Sequence, residues 1–210
     1  MLLNLIVFAA VAYLAYDKNT LRLLLTEKPK QHLFFGYTAL LTILWSIQAS
    51  IYEGLEVHFL WMTACTLFLG PRLAIYAGLI ATLINCLLGS YQWDNAYIQL
   101  LSGVCLPALV SYLVYVISFH KLPRHFFIYV FVCGFFAGAL SIGLKMLAIS
   151  GVFTLTGQYA WDVVFDNYLI LLVLLAFPEA LLNGMTMTIG IIYVPSWVRT
   201  FYDSQYLDDK

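Results

Sequence analysis

The chain alternates long apolar runs with short polar breaks. Apolar residues dominate from about Met1 to Tyr16, His32 to Ser50, Val57 to Leu69, Leu73 to Leu88, Tyr97 to Phe119, Phe126 to Ile149 and Asn167 to Val194. Bilayer hydrocarbon is about 30 Å thick, so one helical crossing uses about 20 mainly apolar residues. The pattern predicts an all-α integral membrane protein, a bundle of about seven transmembrane helices. Residues 1–210 then form a single transmembrane domain with almost nothing left for a soluble one. Gly70-Pro71-Arg72 separates the third and fourth runs, because Pro disfavours helix in its predecessor and Gly lets the chain reverse. Val57 to Leu69 is short for a crossing. Its segment is expected to begin as early as Tyr52 or to lie shielded inside the bundle.

Composition agrees: 63% of residues are hydrophobic and 10% charged, against roughly 25% charged in a soluble domain. The net charge of -1 supplies no basic field, which argues against nucleic acid as a partner. Cys65, Cys86, Cys105 and Cys133 all lie in apolar runs without a CxxC spacing. They read as small packing residues.

Charge sets an orientation. No Lys or Arg precedes the first run, whereas Lys18, Arg22, Lys28 and Lys30 follow it, the pattern of a retained helix rather than a signal peptide. Walking the loops alternately places these four with Arg72, Lys121, Arg124, Arg199 and Lys210 on one side, nine of the ten basic residues. The opposite loops carry Glu53, Glu56, Asp94, Asp162 and Asp166. By the positive-inside rule the N-terminus is outside and the C-terminus cytoplasmic, in a multi-pass protein of the cell (inner or plasma) membrane. Small residues four apart, Gly134/Gly138, Ala139/Gly143, Ala74/Gly78 and Ala180/Gly184, allow close helix approach.

Ionisable residues inside a membrane cost about 2.5 to 3.5 kcal/mol at the centre, so each needs a reason. Glu179, Asn183 and Thr186 share one face of the last run, beside Pro178, which should kink or open the backbone. This stripe is either a substrate-binding surface for a cation, proton or polar solute, or an interhelical hydrogen-bond seam. Lys145 either snorkels outward or partners Glu179 or an anionic ligand. Asn85 is similarly open. Glu56 and His58 are a weak metal candidate, because residues two apart do not share a helical face. The chain contains no GxSxG, HExxH or nucleotide-binding P-loop, so it is not expected to be an enzyme.

Four segments carry a resemblance: Gly54-Leu55-Glu56-Val57-His58-Phe59-Leu60; Leu69-Gly70-Pro71-Arg72-Leu73-Ala74 with Gly78 and Asn85 to Gly89; Phe135 to Ser141; and Phe177-Pro178-Glu179-Ala180-Leu181-Leu182-Asn183-Gly184-Met185. In order and helix count they resemble the CbiM-like family, the membrane substrate-binding components of energy-coupling-factor importers associated with cobalt and nickel uptake. The resemblance implies a permease that captures a small solute or cation from outside. It further implies a coupling transmembrane subunit and cytoplasmic ATPases as partners, with a divalent metal ion as possible substrate. Metal-transporting members begin with Met-His, whereas this chain begins Met1-Leu2-Leu3-Asn4, and Asn183-Gly184 stands where they carry Glu-Gly. An altered ligand set is therefore expected. The rival readings are a non-transporting membrane scaffold or assembly factor and an ion-coupled secondary carrier.

Overall fold

The computed structural model describes residues 2–50, 52–202 and 206; Met1, Ile51 and Lys210, on which parts of the sequence reading fall, lie outside the described residues. Helices α1 (Leu2–Ala15), α2 (Lys18–Thr26), α3 (Lys28–Ser46), α4 (Met62–Leu69) and α5 (Pro71–Leu87) are followed by three long helical runs. These are α6 (Trp93–Lys121), α7 (Phe126–Leu155) and α8 (Trp161–Tyr193), each long and apolar enough to cross a membrane. Among the described residues there is no strand, only an isolated antiparallel bridge between Ala49 and Val57.

The surface of α8 identifies the solvent. Val173, Phe177, Leu181, Met185 and Ile189, four apart, are exposed, whereas Glu179, Ala180, Asn183, Gly184 and Met187 are buried. An apolar face turned outward and a polar one turned inward suits lipid, which solvates apolar side chains as well as a protein core does. This is a membrane protein.

Two elements differ from the sequence reading. Residues 18–26 form a helix rather than a plain loop, because Asp17 caps it: its Oδ2 accepts the Thr20 N–H at 3.0 Å and the Thr20 hydroxyl at 2.5 Å. Asp17 also pairs with Arg72 at 2.9 Å, tying the start of α2 to the start of α5. The third run is helical only from Met62, and Leu55 to Trp61 is non-helical. All eight residues of α4 are buried, so the shortness of the run reflects enclosure by α3, α5, α6, α7 and α8. A helix shielded by protein needs no lipid-length span.

Pro178 does not break α8, which is helical from Leu172 through Tyr193. Pro178 removes one N–H donor, a loss a membrane helix can tolerate when its surroundings resupply polar contacts. A wide π turn occupies Leu100–Cys105 in α6, ending two residues before Pro107, which cannot donate the usual helical bond. Gly134 and Gly138 let α7 meet α8 closely: a Cβ on Gly134 would lie 3.3 Å from the Gly184 Cα, and one on Gly138 3.1 Å from Asn183 Nδ2.

Candidate functional site

The polar centre is built around the break before α4. A helix start exposes N–H groups that have no intrahelical acceptor, and inside a membrane each must find one. Here α8 supplies them. Glu179 Oε2 accepts the Leu60 N–H at 2.9 Å, and Oε1 accepts the Trp61 N–H at 2.8 Å. Asn183 Oδ1 accepts the Ala64 N–H at 2.8 Å, while its Nδ2 donates to the Glu179 carboxylate and carbonyl, both at 2.8 Å. From α3, Trp45 Nε1 donates to the Leu60 carbonyl at 3.1 Å.

Trp61 sits at the hinge. Its φ of 54° puts a bulky residue in the left-handed region, a conformation that costs of order 1–3 kcal/mol and persists only when the surroundings over-determine it. Glu179 fixes its backbone, and its indole Nε1 donates to Thr186 Oγ1 at 2.9 Å. Thus Glu179, Asn183 and Thr186 meet around the start of α4, and Glu179 and Asn183 are wholly buried.

His58 lies in the same unwound segment and is buried. A carbonyl can only accept, so the 3.0 Å contact between His58 Nδ1 and the Phe59 oxygen places the proton on Nδ1. In the neutral ring Nε2 is then an acceptor. It faces Lys145 Nζ at 2.7 Å and the Tyr91 hydroxyl at 3.0 Å. Lys145 does not snorkel. At 1% exposure it lies inside the bundle, and its hydrogen-bond partner is His58 rather than Glu179. Gly103, in the π turn of α6, borders Lys145 and Gln99: a Cβ there would make ordinary contact at 3.8 Å with Lys145 Cε and Gln99 Oε1.

Glu56 is half-buried beside this group. Its Oε1 accepts the Gly54 N–H at 3.0 Å and its Oε2 the Gln99 amide at 2.7 Å. The unwound segment lets Glu56 and His58 approach one centre even though they would diverge on a helix. Together they do not make a ready metal set: among the described residues no three His, Cys, Asp or Glu groups converge. Asn85 stands apart from the stripe. Its Nδ2 donates to the carbonyls of Ala81 at 3.0 Å and Thr42 at 3.2 Å, joining α5 to α3.

Sequence reasoning missed Tyr91, Gln99 and the trio Thr63, Ser111 and Ser141, whose hydroxyls link α4, α6 and α7 at 2.8 to 3.2 Å. Gln99 carries a legible signal, an amide within the apolar run from Tyr97 to Gly103. Tyr91 carries none, being one of 15 tyrosines. Asn4 bridges α1 to α6 by donating to the Trp93 carbonyl and accepting the Tyr97 N–H at 3.0 Å.

The family model for CbiM, the cobalt uptake substrate-specific transmembrane region, matches residues 1–196. The chain belongs to the CbiM family. Comparison with curated proteins and with solved structures gave no match. This CbiM-family protein is therefore a membrane component of metal uptake, from a family of transporter components rather than enzymes. The unwound segment, with Glu56 and His58, and the last-helix stripe both fall within the matched residues.

Proposed function

We propose that the protein is the substrate-binding permease component of an energy-coupling-factor importer of the cell membrane, capturing a small cation from outside. The observation that carries this reading is the broken third crossing. Non-helical backbone from Leu55 to Trp61, enclosed by helices and lined by Glu56, His58 and Lys145, is tolerated within a membrane only where protein or a cavity shields it. Discontinuous helices of this kind hold cargo near the midplane in transporters, where free backbone ends and polar side chains can face a solute. In this reading α1, α3, the segment leading into α4, α5, α6, α7 and α8 supply seven crossings. The N-terminus is outside, and α2 lies along the cytoplasmic interface. Glu179, Asn183 and Thr186 hold the broken crossing in register, and Glu56 and His58 face the cargo. Asn85 serves helix packing.

The sequence has no nucleotide site, so energy must come from cytoplasmic ATPases through a coupling membrane subunit. Affinity purification of the full chain from native membranes tests this. Co-isolation of an ATPase pair and a second polytopic subunit is the expected result. Stable recovery with an envelope or respiratory complex and no ATPase would favour a scaffold instead, and transport by the isolated chain in liposomes would favour a secondary carrier.

A further inference from the structure

We propose that the Lys145 ammonium is a tethered cation that occupies the cargo position at His58, so that a divalent metal ion binds there only when Lys145 withdraws. The inference rests on the importer reading for its biological meaning, but its geometry stands separately. With Nδ1 committed to the Phe59 carbonyl, the one His58 lone pair open to a cation is on Nε2, where Lys145 and the Tyr91 hydroxyl now meet it. A metal ion bound to imidazole sits about 2.0–2.1 Å from that nitrogen. Lys145 Nζ, at 2.7 Å from it, excludes such an ion. The space bounded by Glu56, His58, Lys145 and Tyr168 leaves no room for even a water molecule.

A lysine whose role was only to remain in the membrane would extend toward water. This one points inward and is met by the His58 imidazole, whose Nε2 also faces the Tyr91 hydroxyl. The Glu56 carboxylate, whose oxygens accept the Gly54 N–H and the Gln99 amide, lines the same space and is the oxygen donor that could turn toward an ion at His58. Imidazole nitrogen with carboxylate oxygen suits first-row divalent ions. The arrangement is a cation site in which the chain supplies its own cation, and cargo must compete with a group held at permanently high local concentration.

The test is metal retention by the purified full chain. Wild type, His58→Ala, Lys145→Met and the double variant Lys145→Met with His58→Ala are incubated with cobalt, nickel or zinc ions, desalted and subjected to elemental analysis. Lys145→Met keeps the stem and removes the ammonium. It should bind metal at least roughly tenfold more tightly than wild type, and the double variant should lose the gain. Wild-type binding that is as tight and is abolished by His58→Ala overturns the proposal. So does a folded Lys145→Met protein that binds no better. If Lys145→Met does not fold, a cobalt titration of wild type followed by visible absorption decides: no His58-dependent band supports the tethered cation, and a saturating one defeats it. Failure of the importer reading appears separately, as absent ATPase partners with this metal pattern intact.

Discussion

The Glu179 carboxylate accepts the backbone N–H of Trp61 at 2.8 Å, at the one non-glycine residue with positive φ among the described residues. Three donors, from Leu60, Trp61 and Asn183, converge on that carboxylate. A glutamine offers one acceptor oxygen and turns an amide N–H toward donors. Glu179→Gln is therefore expected to cost about 1–3 kcal/mol through a buried group left unpaired. Thermal unfolding in detergent, followed by tryptophan fluorescence, should show a lower midpoint. An unchanged midpoint would mean that the carboxylate does not hold the unwound segment.

Gly138 and Gly143 lie on the same helix but differ in surroundings. A Cβ at Gly138 would stand 3.1 Å from Asn183 Nδ2, whereas one at Gly143 would make ordinary contact with Leu172 at 3.8 Å. Gly138→Ala should displace Asn183 and destabilise by about 1–3 kcal/mol. Gly143→Ala should be neutral or gain up to about 1 kcal/mol from helix propensity. Equal melting behaviour of the two variants would contradict the close α7–α8 approach.

The apolar runs made the helices legible, because lipid demands long apolar stretches whatever the details of packing. The same rule hid the break before α4. Val57 to Leu69 is apolar throughout except for His58, Thr63 and Thr66, and hydrophobicity alone does not say whether a shielded segment is helical. Glu179 and Asn183 stood out as polar groups on an apolar helix, but their partners are backbone N–H groups over a hundred residues away, and backbone donors leave no mark in a sequence. Lys145 misled for a related reason. Its place near a helix end suggested snorkelling, and only the fold reveals that His58, 87 residues away, meets it on the inner side.

At the edge of the bundle the Thr20 hydroxyl and N–H, and then the Arg72 guanidinium, hold the Asp17 carboxyl below its ordinary range. Because the folded value is depressed, Asp17 contributes stability above the unfolded value near about 3.9. That contribution is lost as pH falls through the folded value. Asp17→Asn should melt below wild type at neutral pH, and the gap should close on acidification below the normal aspartate range. A gap that persists in acid would assign the effect to something other than the carboxylate.

Reporter fusions test the orientation. Fusions within residues 18–26 and 122–125 and after residue 197 should report the cytoplasm, and fusions within residues 89–92 and 156–160 the outside. A cytoplasmic signal from the latter pair would overturn the seven-crossing topology.

In the proposed function this CbiM-family chain delivers a metal ion to an energy-driven importer. This role is tested most directly by measuring accumulation of radiolabelled cobalt in cells that express the ATPases and coupling subunit with or without the chain. Energy-dependent accumulation is expected only when the chain is present, with the signal reduced by His58→Ala. Equal accumulation with and without the chain would contradict it.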